Sequence, residues 1–374
     1  MIIRSTGITN TPPAKPAHRF IKIFSRIIRN IFILTATAIL CTELIIHLLL
    51  RFLPINVQNL VLTKYTTDIS GIYFDDPRYN IQILKPDFLQ KDMFFNGYYW
   101  RHKTNHIGIR DNRDIEKADI VLLGDSMVYG HGLNFADTIG YNLEKISGLT
   151  VANLALQGDY PPFEYVRLKK LGLFLRPRFV FFFIFGVQDE SDFRHSRPSQ
   201  GYIERIVKES PPNYMAGLFS NDYLQNYNHN PTFQQIIEST LTARIIKLIK
   251  SIKKDRTAQT KPYDESNIEK VMVTLLPAAD KLCRENGAKF VVILHHDSAA
   301  NNFQAISKRI CLAHRITVLD FNNDGHINPK KPSPYYLKMD GHYSAQGTRY
   351  VAEKILKFLK TQSFPLTEKM RGGI

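Results

Sequence analysis

The sequence predicts a three-layer α/β fold in which helices cover both faces of a mainly parallel sheet of five strands. Five strand-length runs are almost continuously apolar, which is typical of strands buried on both faces. They comprise residues 118–123, 150–154, 179–185, 289–294 and 316–320. Segments with helical spacing of apolar residues accompany them, at residues 136–146, 163–173, 266–286, 302–314 and 344–359. This alternation favours parallel strands, whose carboxyl ends form the edge where ligands bind.

The composition indicates a large folded chain without metal or redox chemistry. Its 374 residues suffice for about two domains, or for one large domain with additional segments. The three cysteines, Cys41, Cys283 and Cys311, are too few and too widely spaced for a zinc site or a disulfide framework. We therefore expect neither a metal nor an organic cofactor.

The N-terminus predicts one transmembrane helix. The first 30 residues contain six lysines and arginines and no acidic residue, and residues 31–50 are almost wholly apolar. Twenty residues of helix cover about 30 Å, the thickness of the hydrocarbon core. By the positive-inside rule, residues 1–30 form a cytoplasmic tail and the chain after residue 50 lies outside the cytoplasm. The alternatives are a cleaved signal peptide, for which the run is long, and a core helix, which needs no basic leader.

The chain has a net charge of +15, from 49 Lys and Arg against 34 Asp and Glu. Such a balance can indicate nucleic-acid binding. However, six of the positive charges lie in the N-terminal tail, and no cluster of basic and aromatic residues follows it. We expect no nucleic-acid partner.

The rest of the chain divides into three further parts. Residues 51–117 are polar and predict a stalk with accessory strands. Residues 118–362 form the α/β domain, with an insertion at about 192–263, and residues 363–374 form a C-terminal tail. The insertion contains one predicted helix, residues 233–254, which could be a lid, a helix touching anionic lipid, or an ordinary amphipathic helix packed on its own domain. The last of these is the favoured interpretation.

Polar residues suited to acyl transfer follow three of the predicted strands and precede the last helix. Gly124-Asp-Ser126 comes directly after the first strand, so the serine is expected at the carboxyl edge of the sheet, although Asp and Ser there are also common helix caps. Gly158 follows the second strand and Gln188 the third, where each can supply a hydrogen-bond donor to an oxyanion. His342, in Asp340-Gly-His342, precedes the last helix and can serve as a base.

Together these segments resemble the SGNH/GDSL hydrolase family, specifically its membrane-anchored bacterial members with one N-terminal helix. The resemblance covers roughly residues 105–359 and implies a flavodoxin-like sheet. It also implies that Ser126 is the nucleophile, His342 the general base and Asp340 its orienting carboxylate. The N–H groups of Ser126 and Gly158 would be two of three oxyanion donors.

The third oxyanion donor departs from the family pattern. Family members usually have an asparagine there, and the matching position here is Gln188, whose side chain is one methylene longer. An Asn-x-x-Gly-Ile-Arg element before the first strand does match the family, at Asn105, Gly108, Ile109 and Arg110.

Four other histidines could compete with His342. His295 and His296 end the fourth strand and are candidates for substrate contact, although hydrogen-bonded loop histidines are the commoner case. His326 repeats the Asp-Gly-His tripeptide in a Pro/Asn-rich loop without a following helix, which ranks it below His342. His131 follows Ser126 too closely to act on it from a continuing helix.

The sequence therefore predicts a serine esterase or O-acyltransferase, anchored in a bacterial inner membrane with its catalytic domain in the periplasm. It would act through a Ser-His-Asp acyl-enzyme mechanism on an ester such as an acetylated envelope glycan. The alternative is a catalytically weak or inactive envelope protein that binds acylated polysaccharide in the same cleft. The sequence does not predict an oligomeric state.

Overall fold

The N-terminal part of the chain forms two helices and two β-hairpins. The computed structural model describes residues 16–67, 71–76, 81–209, 232–255, 265–295, 302–322 and 333–362. The helices are α1 (Pro16–Leu49) and α2 (Ile55–Leu62). The hairpins pair β1 (Tyr73–Asp76) with β2 (Ile81–Leu84), and β3 (Leu89–Phe95) with β4 (Tyr98–Lys103).

Helix α1 begins earlier than the sequence pattern suggested. The described part of the basic tail continues the apolar helix without a break, so the helix starts at Pro16 and not at residue 31. Residues Ile21–Phe52 are long and apolar enough to cross a membrane, with a mean hydropathy of 2.1 over the best window. An N-terminal signal sequence has the same properties.

The central sheet has five parallel strands, which confirms the predicted fold class. They are β5 (Ile120–Leu123), β6 (Val151–Asn153), β7 (Phe179–Ile184), β8 (Lys289–Leu294) and β9 (Thr317–Asp320). Their order is β6-β5-β7-β8-β9, and all four neighbouring pairs are parallel. Because β5 lies between β6 and β7, segments that follow these three strands meet at one edge.

Helices cover both faces of this sheet. They are α3 (Ser126–Tyr129), α4 (Ile139–Ser147), α5 (Pro161–Arg167), α6 (Gly186–Ser196), α7 (Gln200–Lys208), α8 (Phe233–Ser239), α9 (Leu241–Asp255), α10 (Glu265–Glu285), α11 (Asn302–Ala313) and α12 (Ala345–Thr361). The alternation of strand residues explains the layers: Phe179, Phe181 and Phe183 pack with α3, α4 and α12. Val180 and Phe182 point to the opposite face and pack with α5–α7, α10 and α11.

The segment expected to be a stalk packs on the domain instead. Ile72, Met93 and Trp100 are buried in the same apolar cluster as one face of the sheet. The buried guanidinium of Arg110 donates hydrogen bonds to the carbonyls of Tyr129 (2.8 Å), Gly130 (2.9 Å) and Leu133, and so holds the loop that follows α3. The accessory segment is therefore part of the structure that supports the edge of the sheet.

The insertion differs from the sequence prediction in two respects. Helix α7 was not predicted, although Ile203 and Ile206 are buried on one of its faces. The predicted helix 233–254 is divided at Thr240 into α8 and α9. The loop-like residues 221–230 lie outside the described residues.

Candidate active site

Ser126 lies at the first position of α3, at the carboxyl end of β5. The carboxylate of Asp125 caps this short helix by accepting a hydrogen bond from the N–H of Met127 (2.9 Å). Gly130, with φ of +82°, ends the helix after one turn. A Cβ on Gly124 would lie 2.5 Å from the side chain of Val128, so only glycine fits where the strand turns into the helix.

The structure brings the three predicted triad residues together. His342 Nε2 lies 2.7 Å from Ser126 Oγ, although the two residues are 216 positions apart. On the other side of the ring, Nδ1 lies 3.0 Å from Oδ1 of Asp340. The loop that carries both residues is anchored by Ser344, whose hydroxyl caps α12. The imidazole thus bridges the serine hydroxyl and the carboxylate.

Asp340 is buried but remains favoured as a carboxylate. Burial alone would raise its pKa, but the neighbouring His342, the charge interaction with His131 and the amide of Asn96 together hold the pKa below its usual value. Asn96 Nδ2 donates to Oδ1 over 3.3 Å. The accessory β3–β4 turn therefore contributes a contact to the site.

His131 is the site residue that the sequence interpretation missed. Its ring stacks on that of His342, with 4.3 Å between centroids and 18° between planes. Its Nε2 lies 3.5 Å from the second oxygen of Asp340, and its Nδ1 lies 3.0 Å from the hydroxyl of Tyr65. The sequence signal was present in Gly130-His-Gly132, because both glycines have positive φ and turn the chain back towards Ser126.

Burial keeps His131 neutral. Its side chain is 4% exposed, and desolvation together with the nearby His342 lowers its pKa to about 3. A neutral ring that accepts from Tyr65 at Nδ1 carries its proton on Nε2, facing Asp340. Tyr65 can in this way select the tautomer of His131.

The side chains of His131, Asp340 and His342 form a group whose possible metal-ligand atoms lie close enough to bind one metal ion. These atoms of His131, Asp340 and His342 lie within 4.8 Å of one another. However, an ion bound by an imidazole nitrogen lies near the plane of that ring, and two nearly parallel, stacked rings do not share such a point. The arrangement suits a hydrogen-bonded network better than a metal site.

The two other proposed oxyanion donors follow the strands on either side of β5. Gly158 follows β6 with φ of +73°, and the space where a Cβ would lie is open. Gln188 lies in the first turn of α6 after β7, where its amide Nε2 donates to Asp192 Oδ2 over 3.0 Å. One amide hydrogen of Gln188 is therefore engaged within its own helix, which leaves the other for a substrate.

The structure contradicts the substrate-contact role predicted for His295. This residue is fully buried, and its Nδ1 lies 2.8 Å from the hydroxyl of Tyr343. Burial lowers its pKa to about 3. The ring therefore packs between the sheet and the loop of His342 and has no surface for a ligand. His296 and His326 lie outside the described residues.

Buried carboxyl groups lie close to one another behind the candidate site. Burial raises the pKa of Asp125 to about 6, and burial together with mutual repulsion raises the pKa values of Glu164 and Asp189 well above their usual range. Asp159 is paired with the guanidinium of Arg167, at 2.8 and 3.0 Å. Neither carboxyl oxygen of Glu164 has a hydrogen-bond partner among the described residues.

Glu164→Gln is expected to make stability less sensitive to pH. The raised pKa means that folded Glu164 holds a proton that the unfolded chain has released, so the wild type loses stability as pH rises above about 5. Glutamine is uncharged at every pH and removes this contribution of about one proton. The melting temperature of the variant, relative to wild type, should therefore be higher at pH 8 than at pH 5.

The exposed Glu353→Gln is the matched control, since Glu353 lies on the solvent side of α12. The difference in melting temperature between this control and wild type should change little with pH. If the difference between Glu164→Gln and wild type is equally independent of pH, Glu164 is ionised in the folded protein.

No protein-family model and no curated protein matches the chain. Among solved structures, the psychrotrophic esterase EstA from Pseudoalteromonas sp. is similar at 12% identity with a TM-score of 0.37, over 65% of this chain and 97% of that chain. A two-domain esterase active on acetylated mannans is 13% identical with a TM-score of 0.37, over 68% and 52% of the two chains. A GDSL-like lipase from Bacteroides thetaiotaomicron is 12% identical with a TM-score of 0.34, over 68% and 93%.

The sheet topology agrees with the resemblance to SGNH/GDSL hydrolases that the motifs indicate. The likeness to the solved structures is too distant to carry a functional argument. Any function must therefore be inferred from the residues of the site.

Proposed function

We propose that the chain is a serine esterase or O-acyltransferase that forms an acyl-enzyme. The observation that supports this most directly is the 2.7 Å contact between Ser126 Oγ and His342 Nε2, with Asp340 3.0 Å behind the ring. A nucleophile in contact with a base that is itself oriented by a third group is the arrangement that acyl transfer requires. Covalent labelling by a fluorophosphonate that depends on Ser126 tests the proposal.

The first half of the proposed reaction acylates the serine. Ser126 Oγ forms a bond to the carbonyl carbon of an ester while His342 Nε2 takes the hydroxyl proton. The N–H groups of Ser126 and Gly158, with the free amide hydrogen of Gln188, would stabilise the oxyanion. The bond to the leaving alcohol then breaks, and His342 returns the proton to that alcohol.

The second half of the reaction decides between hydrolase and transferase. His342 removes a proton from an incoming hydroxyl group, whose oxygen attacks the carbonyl carbon of the acyl-enzyme. The bond from that carbon to Ser126 Oγ then breaks, and His342 returns the proton to Ser126 Oγ. If water attacks, a carboxylic acid leaves and the protein is an esterase. If a sugar hydroxyl attacks, the acyl group moves to the sugar and the protein is an O-acyltransferase.

The proposed location is a membrane with the domain on the extracytoplasmic side. The length and apolar character of α1 and the basic residues at its N-terminal end support this orientation. On that side of a bacterial inner membrane, acylated envelope glycans are available esters. A comparison of short-chain esters and acetylated glycans as substrates for the purified protein tests this class.

In the proposed mechanism, His131 is a positioning residue. Its Nε2 lies 3.5 Å from one oxygen of Asp340, while His342 Nδ1 lies 3.0 Å from the other oxygen, so the carboxylate has an imidazole on both sides. Tyr65, from the accessory segment, contacts Nδ1 of His131, and donation from its hydroxyl there would place the ring proton on Nε2. The stacked ring also limits rotation of His342.

His131→Phe is expected to lower kcat by about tenfold with little change in KM. Phenylalanine keeps a ring that can stack but removes the polar Nε2 that lies 3.5 Å from the buried carboxylate of Asp340, and a tenfold loss corresponds to about 1.4 kcal/mol. Steady-state hydrolysis of p-nitrophenyl acetate measures both constants. His131→Gln is the matched variant, because its amide N–H can reach the position of Nε2 and should retain more of kcat than phenylalanine. Equal losses of kcat in both variants would argue against the polar contact between residue 131 and Asp340 as the cause.

One observation favours the alternative function, binding without efficient turnover. The amide of Gln188 is bonded to Asp192 in place of a free asparagine amide. Loss of an oxyanion donor costs about 10²–10³ in turnover. A folded protein that fluorophosphonate does not label, but that retains affinity for acylated glycans, would support this alternative.

A further inference from the structure

The insertion presents an apolar surface beside the candidate membrane helix. Five apolar side chains in α8 and α9 are 45–75% exposed. They are Phe233, Ile236, Ile237, Ile246 and Ile249. In α8 their spacing of three and four residues places them on one helical face, and the two isoleucines of α9 share a face in the same way. An exposed stripe of this kind marks an interaction surface.

Helix α9 is fixed directly to α1. The carboxylate of Glu43 accepts hydrogen bonds from the N–H groups of Leu241 (2.7 Å) and Thr242 (3.1 Å), at the N-terminus of α9. It also accepts one from the hydroxyl of Thr242 (2.8 Å). Glu43 lies within the otherwise apolar run of residues 31–50. The cap explains how a charged group is accommodated there.

Apolar packing and a second polar contact complete the attachment. Leu241 packs with Leu50 and Val61 in a small buried cluster between α1, α2 and α9. Arg244 Nη1 donates to the carbonyls of Val61 (3.3 Å) and Thr63 (3.0 Å). Ile246 and Ile249 flank this packed side of α9 and remain about half exposed.

The position of Glu43 sets the depth of α9 relative to α1. Glu43 lies seven residues before Leu50, which directly follows the last residue of α1. Seven residues correspond to about 10 Å along the helix axis. If residues 31–50 of the chain span the hydrocarbon core, the start of α9 lies about 10 Å inside its outer edge, which is the deep limit of the range of about 5–10 Å to which amphipathic interfacial helices are buried. Lys247 and Lys250 of α9 match the charge of anionic headgroups, and Lys247 also pairs with Glu238 at 3.2 Å.

We propose that α8 and α9 lie in the outer interface of the same membrane that α1 crosses. Their exposed apolar faces enter the acyl boundary, and the lysines of α9 reach anionic phospholipid headgroups. This proposal rests on the proposed membrane location of α1 and not on catalysis. Insertion of α8 and α9 in the interface would hold the α/β domain at a fixed height above the bilayer.

The test uses the full chain reconstituted in vesicles of phosphatidylcholine and phosphatidylglycerol at 3:1. Cys41, which is exposed on α1, is replaced by serine, while Cys283 and Cys311 are buried and stay. An environment-sensitive nitrobenzoxadiazole label is attached at Ile249→Cys. The matched control carries the label at Lys281→Cys, on the exposed side of α10.

The label at position 249 is expected to show blue-shifted emission and several-fold stronger quenching by doxyl-labelled lipids than the label at position 281. Aqueous iodide should show the reverse preference, and the lipid quenching at position 249 should weaken in vesicles of phosphatidylcholine alone. Equal behaviour of the two labels would overturn the proposal. Shielding from iodide that depends on protein density, without lipid quenching, would also overturn it in favour of contact with a second copy.

Flotation of the chain with carbonate-washed vesicles reports on α1 separately. A chain that floats but fails the quenching test retains its anchor and loses only the proposed interfacial helices. A chain that does not float contradicts the anchor itself, on which the proposal depends.

Discussion

Ser126→Ala is expected to abolish fluorophosphonate labelling and to lower ester hydrolysis by roughly 10⁴- to 10⁶-fold. Its hydroxyl is the group that His342 Nε2 contacts at 2.7 Å, so alanine removes the proposed nucleophile. In serine hydrolases, removal of the nucleophile costs about as much as removal of the whole triad, and only transition-state binding by the oxyanion donors remains. The full chain in detergent, with p-nitrophenyl acetate as substrate, is suitable for both measurements.

Ser196→Ala provides the control for this experiment. Ser196 is exposed at the C-terminal end of α6, which runs away from the carboxyl edge of the sheet. Its replacement should leave labelling and hydrolysis unchanged. If Ser126→Ala keeps its circular dichroism spectrum and still hydrolyses the ester at the rate of the control, Ser126 is not the nucleophile.

His342→Ala is expected to reduce hydrolysis by about 10⁴-fold. Without the imidazole, the serine has no base in contact, and general base catalysis of this kind contributes about 10²–10⁴, with the loss of nucleophile activation in addition. Asp340 would remain, but its carboxylate faces the far side of the His342 ring, 3.0 Å from Nδ1. The contact between His131 and Ser126 joins backbone atoms, the N–H of His131 and the carbonyl of Ser126 (3.1 Å), and does not involve the serine hydroxyl. Added imidazole is expected to restore part of the rate, because the substitution leaves a space of that shape beside Ser126.

His314→Ala is the matched control for His342. His314 is exposed and immediately precedes β9, so it lies at the amino-terminal edge of the sheet, opposite the candidate site. A similar loss of activity in both variants would show that the effect is structural. Rescue by imidazole in the His342 variant alone would support its role as the base.

The secondary-structure predictions were confirmed where they depended on the local pattern of apolar residues. Strands β5 to β9 were recognised because strands buried on both faces consist almost wholly of apolar residues. The position of Ser126 followed from the same pattern, since the carboxyl ends of parallel strands share an edge, whereas the pairing of His342 with Ser126 was implied by the resemblance to SGNH/GDSL hydrolases. Helix α7 was missed because its short apolar face follows a polar stretch, and α9 was merged with α8 because Thr240 gives no clear break.

The sequence alone determined the α/β class, the apolar N-terminal helix and the edge on which Ser126, Asp340 and His342 gather. The first two features follow from periodicity and hydropathy, and the third is what the resemblance of the motifs to SGNH/GDSL hydrolases implies. Only the tertiary structure decided that His131 stacks on His342, that Tyr65 contacts Nδ1 of His131 and that Glu43 caps α9. Each of these contacts joins segments far apart in the chain, and which side chains meet there depends on how the accessory segment and the insertion pack, which no local pattern encodes.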